Sequence, residues 1–512
     1  MATETQSLRL SLHQNPLDIT PAEFRDLGHA LVDQIADFLD SLPHRKVTAG
    51  ATPAAIRAAI GGDVLPAAGA PASELLDAAA RLLIDYSLFN GHPRFFGYIT
   101  SSASPTGALA DLLASAINPN VGGWILSPVA TQIEAQAVRW IAELLDMPAS
   151  CGGLFVSGGN MANFVGFLAA RRAKAPWDVR TRGLHNADRQ LVVYASRETH
   201  TWIQKAADLF GLGLDAIRWI PVDDRQRMSV AALERQIAVD RDQGQQPFLV
   251  IGTAGTVSTG AIDPLKEIAA VCRATDLWFH VDGAYGAPAA ALPDAPDDLK
   301  ALALADSVAV DPHKWLYAPM EAGCILVRDP RHLIDTFSFH PEYYHFTEVG
   351  GEQPLMYYEM GPQNSRGFRA LKVWLGLRQA GRDGHVRMIR EDIALARSLY
   401  DNVTASPELE AFTHGLSITT FRYVPPGFTT TRETNEAYLN DLNTEILNRL
   451  QAEGEAFVSN AVIDGKYLLR ACIVNFRTTK SDIEALPRIV IRVGREVHAA
   501  MRSGERAAES VG

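Results

Sequence analysis

The stretch Val308-Ala309-Val310-Asp311-Pro312-His313-Lys314-Trp315 places a lysine and a tryptophan directly after a short apolar run. A run of small and β-branched residues of this length is typical of a buried strand. Lysines are common on protein surfaces, but a lysine immediately after a core strand is unusual. Because burial disfavours the charged amine, we expect a lowered pKa for Lys314 and a nucleophilic nitrogen at this position.

Four further apolar runs of the same kind precede this stretch, and helical patterns lie between most of them. The runs cover residues 154–156, 191–194, 248–251 and 277–281. Short buried strands that alternate with helices predict an α/β domain with a largely parallel sheet. Ligands bind to such sheets outside the carboxyl ends of the strands, so we expect the functional residues just after each run.

The residues that follow these runs form a set that suits one cofactor. Ser157-Gly158-Gly159-Asn160 precedes a helix and could bind a phosphate, although such a stretch is often only a tight turn. His200, Thr253 and Asp282 follow the next three runs; alone, the histidine is more often structural and the aspartate could cap a segment. Together with Lys314 they fit pyridoxal 5'-phosphate, which needs an amine, a carboxylate, a flat ring and a phosphate loop.

The two ends of the chain differ from this central part. Thr20 and Glu23 predict a capped helix whose apolar stripe could pack internally or on another subunit. Residues 46–72 are rich in Ala, Pro and Gly and are interpreted as a linker. Beyond about residue 386, a long helix, two strands and a final helix predict a small α+β domain. We therefore divide the chain into a helical segment, a large cofactor-binding domain and a small C-terminal domain, over residues 1–105, 106–385 and 386–512.

The composition disfavours several classes of function. The 512 residues are 47% hydrophobic and 21% charged, which is typical of globular proteins. Lys and Arg total 47 and Asp and Glu total 59, a net charge of −12 that makes nucleic acid or an anionic membrane a poor partner. No apolar stretch approaches the length of roughly 20 residues that a membrane helix needs, and the N-terminus carries no apolar signal-peptide core. No two of the four cysteines form a C-x-x-C pair. We expect a cytoplasmic protein.

Five motifs resemble those of the group II pyridoxal-phosphate-dependent amino-acid decarboxylases, and most closely the aromatic L-amino-acid decarboxylase branch. They are His92-Pro93-Arg94-Phe95-Phe96, Ser157-Gly158-Gly159-Asn160, His280-Val281-Asp282-Gly283-Ala284-Tyr285, Asp311-Pro312-His313-Lys314-Trp315 and Arg366-Gly367-Phe368-Arg369-Ala370-Leu371-Lys372. The resemblance extends from about residue 21 to about residue 497. It implies a type I, aspartate aminotransferase-like fold and a homodimer with the active site at the interface, where the N-terminal segment packs on the partner.

The resemblance also implies a role for individual residues. Lys314 would hold the cofactor as a Schiff base, and Asp282 would pair with the pyridine nitrogen. His200 would stack on one face of the ring and Ala284 on the other. Gly159, Asn160 and His313 would lie at the phosphate, and Thr253 would lie near the ring hydroxyl.

A loop over residues 337–345 carries the proton donor that the resemblance implies. In the family a tyrosine on a mobile loop protonates Cα after carbon dioxide is lost. Tyr343 follows Pro-x as in the family motif and takes this role, with Tyr344 and simple local packing of the aromatics as alternatives. Family members with phenylalanine in this place make aldehydes oxidatively, so the tyrosine implies an amine product.

The resemblance is less specific about the substrate. Phe95 and Tyr98 are candidate substrate-binding residues, and they favour an aromatic L-amino acid over an acidic one, for which Arg94 could be the basic clamp. Two departures from the family pattern bear on the site: Asp311 stands where animal members have asparagine, and the segment 118–124 carries small and polar residues where catechol- or indole-specific members have bulky apolar ones.

Other functions remain open. The alternatives are another pyridoxal-phosphate enzyme, such as an aldehyde synthase or aminotransferase, a decarboxylase of an acidic or other non-aromatic amino acid, and a scaffold that has lost catalysis. A Rossmann-type nucleotide enzyme is disfavoured because the sequence contains no G-x-G-x-x-G.

Overall fold

A computed structural model of the chain describes residues 16–62, 64–184, 189–339, 351, 353–428 and 433–509. No helix within these ranges combines the length and the apolar character that crossing a membrane requires. The helices are α1 (Pro21–Ser41), α2 (Pro53–Ile60), α3 (Ala72–Tyr86), α4 (Pro105–Ile117), α5 (Pro128–Leu144), α6 (Gly159–Lys174), α7 (Val179–Arg182), α8 (Trp202–Leu209), α9 (Val230–Asp242), α10 (Leu265–Thr275), α11 (Asp297–Lys300), α12 (Arg331–Phe337), α13 (Ala370–Thr404), α14 (Glu433–Glu453) and α15 (Lys480–Glu509). The strands are β1 (Gly152–Val156), β2 (Leu191–Ser196), β3 (Ile217–Ile220), β4 (Gln246–Thr253), β5 (Trp278–Asp282), β6 (Ser307–Val310), β7 (Gly323–Val327), β8 (Leu409–Gly415), β9 (Ile418–Tyr423), β10 (Ser459–Ile463) and β11 (Lys466–Cys472).

The larger sheet has seven strands in the order β1-β7-β6-β5-β4-β2-β3. Strands β3, β2, β4, β5 and β6 are parallel, and β7 is antiparallel to both β6 and β1. Because β7 is antiparallel to both of its neighbours, β1 runs in the same direction as the parallel strands. The carboxyl end of β1 therefore lies at the same edge of the sheet. The predicted α/β fold with a largely parallel sheet is confirmed; β3 and β7 lay outside the predicted runs.

Two apolar cores cover the two faces of this sheet, which explains why its strands are apolar on both sides. Every residue of β2, β5, β6 and β7 is buried. On one face α5 and α10 contribute to the core, and on the other face α6 and α8 do so. The strand ends are therefore held rigidly, which suits a site that must keep several side chains in fixed positions.

The C-terminal part forms an antiparallel sheet in the order β10-β11-β9-β8, with α14, α15 and the second half of α13 packed in its own core. Gly381 interrupts α13 with a φ of 64°, a left-handed conformation that glycine adopts without a steric penalty. The predicted small α+β domain is confirmed as a fold. The proposed division at 385 falls within α13 and, like the division at 105, stays a prediction.

The N-terminal segment begins with the predicted capping box. Thr20 Oγ1 accepts a hydrogen bond from the Glu23 backbone N–H (3.2 Å), and Glu23 Oε2 accepts one from the Thr20 N–H (2.8 Å). The interpretation of residues 46–72 as a linker is wrong over α2. This helix begins at Pro53, and Thr52 caps it because Thr52 Oγ1 accepts a hydrogen bond from the Ala55 N–H. No residue of α1 is buried within this chain, and 55% of the Phe24 surface is exposed.

Candidate active site

The carboxyl ends of three neighbouring strands bring the predicted residues together. Thr253 ends β4 and Asp282 ends β5, and the two are direct partners in the parallel register. Strand β6 stops one residue before Asp311, so the segment that carries Lys314 starts at the same edge. Strand β1 ends at Val156, and the chain enters α6 through the Gly-rich turn.

A cavity of about 350 Å³ lies at this edge of the sheet. All eight residues predicted to hold the cofactor line it: Gly159, Asn160, His200, Thr253, Asp282, Ala284, His313 and Lys314. Ser157 and Gly158, from the predicted phosphate-binding turn, also line it. The rest of the lining had no predicted cofactor-binding role: Ile99, Met161, Asn163, Glu198, Gly255, Val257, Tyr285, Asp311 and Glu321. Most of them follow a strand by a few residues, and the strand-end rule could have found these.

Lys314 forms an ion pair with Asp311, whose Oδ2 lies 2.9 Å from Nζ. Asp311 is only 2% exposed. The expected lowering of the lysine pKa is wrong: burial does lower the pKa of Lys314, but Asp311 and, less strongly, Asp282 outweigh burial and raise it above its ordinary value. The amine is therefore charged at neutral pH when only the chain's own residues surround it.

Asp282 accepts hydrogen bonds from neutral donors. The indole N–H of Trp202 donates to Oδ2 (2.8 Å), and the backbone N–H of Ala284 donates to Oδ1 (3.2 Å). Within the described ranges no cation forms an ion pair with this carboxylate. Asp282 is consequently oriented by its neighbours, and its carboxylate is not taken up by an ion pair with a described residue.

His200 is held by the turn that precedes α8. Its Nδ1 accepts a hydrogen bond from the backbone N–H of Trp202 (3.3 Å), which leaves the proton of the neutral ring on Nε2. Burial lowers the pKa of His200, although Asp282 partly offsets this. A neutral, fixed imidazole can lie flat against a ring without adding positive charge.

The Gly-rich turn at the start of α6 is closely covered. A Cβ on Gly159 would lie 2.6 Å from Asp311 Oδ2, and one on Gly158 would lie 3.3 Å from His313 Cε1, so larger residues do not fit without movement. His313 donates through Nδ1 to the carbonyl oxygen of Ala322 (2.7 Å), and burial lowers the pKa of its ring. No side chain within the described residues caps α6, and the first backbone N–H groups of a helix have no partner inside it, so an anion is favoured at this turn.

A buried ion pair fixes the strand that leads into this turn. Arg366 and Glu134 are both almost completely buried and pair through Nη2 and Oε1. Glu134 Oε1 also accepts from the Phe155 N–H (2.9 Å), and Arg366 donates to the carbonyl oxygens of Phe155 (2.7 Å) and Val121 (2.8 Å). The Arg366 motif, recognised from the sequence without a role, therefore holds β1 and the segment around Val121 together.

Two buried oxygens support the fit of pyridoxal phosphate to this cavity. The hydroxyl of Thr253 and Oδ1 of Asp311 have no hydrogen-bond partner among the described residues. Buried polar atoms in native proteins are nearly always paired, so a free hydroxyl that faces a cavity indicates a polar ligand. With one lysine, one unpaired carboxylate and a helix N-terminus in the same cavity, the residues fit an aldehyde, a protonated nitrogen and a phosphate.

Other predicted residues lie elsewhere. Phe95 is buried against Phe457, with ring centroids 5.5 Å apart, and Tyr98 is mostly exposed; neither lines the cavity of this chain. Their substrate-binding role stays a prediction. Tyr343 and Tyr344 lie outside the described residues.

Comparisons with known proteins agree with the site. Residues 64–424 match the model of the pyridoxal-dependent decarboxylase conserved domain. The aromatic-L-amino-acid decarboxylase of Bacillus atrophaeus is 34% identical over 468 residues, which cover 91% of this chain and 94% of that protein. The phenylacetaldehyde synthase of a Rosa hybrid cultivar is 29% identical over 464 residues, 89% of this chain and 90% of that protein. The crystal structure of Oryza sativa TDC with PLP and tryptamine matches with a TM-score of 0.85 at 27% identity, covering 93% of this chain and 99% of that chain.

The family match covers well over half of the chain, and the relatives align along nearly all of it. The fold, the strand-end cavity and these matches lead to the same assignment. The chain belongs to the pyridoxal-dependent decarboxylase family, and it is a pyridoxal-phosphate-dependent carboxy-lyase with the type I fold.

Proposed function

We propose that the protein decarboxylates an aromatic L-amino acid to the amine and carbon dioxide, and that it acts as a homodimer. The observation that carries the reaction type is the presence of Lys314, Asp282 and His200 around one cavity, beside a helix N-terminus suited to a phosphate. The substrate class is supported by the name of the Bacillus atrophaeus relative.

Pyridoxal phosphate supplies an aldehyde and an electron-accepting ring when it is bound. Lys314 would be the amine that holds this aldehyde, and its Nζ would have to lose a proton first, since a charged amine is not a nucleophile. Asp282 would bind the ring nitrogen and keep a proton on it. His200 would stack its neutral ring on the cofactor ring.

The phosphate would be held by backbone N–H groups at Gly159 and Asn160, with His313 beside them. Thr253 carries a hydroxyl that has no partner within the described part of the chain and can bind a ring oxygen. Ala284, with only a methyl side chain, leaves space for the ring on the face opposite His200. Each of these contributions orients the cofactor, and orientation accounts for much of the catalysis in such sites.

Tyr343 is proposed to deliver the proton to Cα, which distinguishes amine formation from aldehyde formation. The support for this role is the sequence motif. Tyr343→Phe should keep the cofactor and lose amine formation, and it should release more aldehyde in the presence of oxygen. Tyr344→Phe is the matched control, because it removes the neighbouring phenol. If Tyr344→Phe abolishes amine formation and Tyr343→Phe does not, the proton donor is Tyr344.

The lining of the cavity supports an uncharged side chain over an acidic one. Among the described residues that line it there is no arginine, and two are glutamates, Glu198 and Glu321. Arg94, the alternative clamp for an acidic substrate, instead pairs with Asp482 at 3.1 Å. Ile99 and Val257 add apolar surface. Because Glu321 is paired with Arg369 at 2.9 Å, the support comes from the lack of an arginine among the described lining residues.

The proposed homodimer rests on the apolar surface of the N-terminal helices. Phe24 and Ile35 on α1 and Leu83 on α3 are exposed in the single chain. Helices α1 and α3 contact each other, and exposed apolar side chains on two packed helices support a protein interface there. Sedimentation analysis should give twice the mass of one chain. The cytoplasmic location stays a prediction.

A panel of amino acids tests the proposed activity. Tyr, Trp, Phe, DOPA, His, Glu and 2,4-diaminobutyrate are supplied at equal concentration, and carbon dioxide, amine and aldehyde are all measured. We expect carbon dioxide and amine in equal amounts from at least one of the aromatic substrates. Faster turnover of Glu than of Tyr, Trp or DOPA would contradict the substrate class, and aldehyde as the main product would contradict the reaction.

A further inference from the structure

Trp202 connects two of the residues that the proposed function depends on. It is the first residue of α8 and is completely buried. Its indole N–H donates to Asp282 Oδ2 (2.8 Å), and its backbone N–H donates to His200 Nδ1 (3.3 Å). Trp202 is not among the residues that line the cavity, so it acts from behind them.

The indole of Trp202 is itself fixed by a polar network. Its ring packs edge-on against His280 at a centroid distance of 5.7 Å. The two ring nitrogens of His280 lie 2.7 Å from Asn163 Oδ1 and 2.7 Å from Ser307 Oγ. Burial lowers the pKa of His280 to about 4, so this ring is neutral near neutral pH. The surroundings of Trp202 therefore hold the indole without placing a positive charge beside Asp282.

We propose that Trp202 is a positioning residue that fixes the Asp282 carboxylate for its pairing with the cofactor's ring nitrogen. The inference rests on the proposed role of Asp282. The Ala284 N–H binds one carboxylate oxygen and the indole binds the other, so both contacts oppose rotation of the carboxylate about its Cβ–Cγ bond. An acceptor held in this way keeps both its direction and its charge, whereas a lysine or arginine in place of the indole would neutralise it.

The two contacts of Trp202 can be separated by substitution. Trp202→Phe removes the indole N–H but keeps the backbone N–H that orients His200. It also keeps most of the aromatic volume against His280. The buried Oδ2 then has one donor fewer and the carboxylate can turn, which weakens the contact with the ring nitrogen. We expect the dissociation constant of pyridoxal phosphate to rise about tenfold, since a hydrogen bond to a charged group contributes at least this factor, and kcat to fall more than KM rises.

A double-mutant cycle tests whether Trp202 acts through Asp282. The cycle compares the wild type, Trp202→Phe, Asp282→Asn and the double variant, with the dissociation constant of pyridoxal phosphate measured by equilibrium dialysis of the holoenzyme. Residues that act through one contact give non-additive effects. We expect Trp202→Phe to change the dissociation constant less than about twofold in the Asp282→Asn background. Equal losses in both backgrounds would show that Trp202 only fills space, and would overturn the proposal.

Trp202→His provides a second variant. Histidine carries a ring N–H on a smaller side chain. If Trp202 only fills space, the histidine variant should bind pyridoxal phosphate more weakly than Trp202→Phe. If Trp202 positions Asp282, the histidine variant should bind it more tightly than Trp202→Phe. If Trp202→Phe does not fold, the same cycle is run with Trp202→Leu, which also lacks a side-chain N–H and keeps the backbone N–H that orients His200. A histidine variant with weaker binding than the phenylalanine variant would contradict the proposal.

Trp374→Phe is the matched control. It also removes an indole N–H that donates to a side chain, Gln136 Oε1 at 2.7 Å, but at a distance from the cavity lining. The affinity of Trp374→Phe for pyridoxal phosphate should equal that of the wild type. If Trp374→Phe loses as much affinity as Trp202→Phe does, the effect of Trp202→Phe is due to general destabilisation and the proposal is overturned. If Asp282→Asn has wild-type affinity and turnover, the role of Asp282 fails and this inference fails with it. If Asp282→Asn is impaired but Trp202→Phe is not, only the inference is overturned.

Discussion

Two aspartates at the ends of neighbouring strands show how position decides the role of a carboxylate. Asp282 ends β5 and is held by an indole and a backbone N–H, both neutral. Asp311 follows β6 and is paired with Lys314 at 2.9 Å. The charge of Asp282 stays available for a cation brought in from outside, whereas that of Asp311 is already compensated within the chain. The proposed function depends on this difference between the two aspartates.

Removal of the lysine between the two carboxylates should have the largest effect. Lys314→Ala deletes the amine proposed to hold the aldehyde, so turnover should be abolished and the absorption of the bound cofactor should lose its lysine-dependent band. Lys205→Ala is the control, because Lys205 does not line the cavity. Measurable decarboxylation by Lys314→Ala with wild-type absorption would contradict the assignment.

Asp282→Asn should have the next largest effect. Without the carboxylate the ring nitrogen loses its proton partner, and the ring accepts electrons less well. Turnover should fall by orders of magnitude, while the phosphate contacts retain part of the cofactor. Steady-state kinetics with saturating cofactor separate these two effects. A turnover within a factor of two or so of the wild type would show that the two aspartates do not differ in the way proposed.

Asp311→Asn should increase the rate at which the apoenzyme binds the cofactor. Asp311 raises the pKa of Lys314, so its loss leaves burial to lower that pKa and increases the fraction of free amine at a given pH below it. The apoenzyme should bind pyridoxal phosphate several-fold faster at neutral pH, and the difference should shrink as pH rises. Stopped-flow absorbance measures this rate. A slower capture at all pH values would instead make Asp311 a necessary cofactor ligand.

Asp392 extends the comparison to a carboxyl group outside the cavity lining. Like Asp282 it accepts from an indole, Trp315 Nε1 at 2.9 Å, and it also accepts from the Tyr317 hydroxyl (2.7 Å). Burial raises the pKa of Asp392 to about 7. A raised pKa in the folded state means that this group contributes stability at low pH and that the contribution is lost as pH rises from about 4 to about 7.

Asp392→Asn should therefore flatten this part of the stability profile. The wild type should lose on the order of 3 kcal/mol from this group between pH 4 and pH 8, relative to the variant. Thermal unfolding at a series of pH values measures the difference. A variant with the same pH dependence as the wild type would show that the carboxyl group is not protonated in the folded protein.

The sequence predicts the edge of the sheet well because strand ends are local features. Apolar runs locate β1, β2, β4, β5 and β6, and the residues just after them line the cavity. The pKa of Lys314 was predicted in the wrong direction because it depends on where the side chain of Asp311 turns, which spacing alone does not determine.

Contacts that join distant parts of the chain were not predicted. Trp202 and Asp282 are 80 positions apart, and nothing in the sequence near either one indicates the hydrogen bond between them. Strands β3 and β7 were not predicted because β3 is a short edge strand and β7 follows Lys314 after an irregular stretch. Helix α2 was not predicted because an Ala-rich sequence is also typical of a linker, although Thr52 and Pro53 mark the start of the helix.

Identification of the lysine that holds the cofactor tests the central claim most directly. The holoenzyme is reduced with borohydride, which fixes the cofactor on that lysine, and the digested protein is mapped by mass spectrometry. The account predicts that the cofactor mass is found on the peptide containing Lys314 and on no other. A cofactor mass on a different lysine, or none on any lysine of a protein that retains activity, would contradict it.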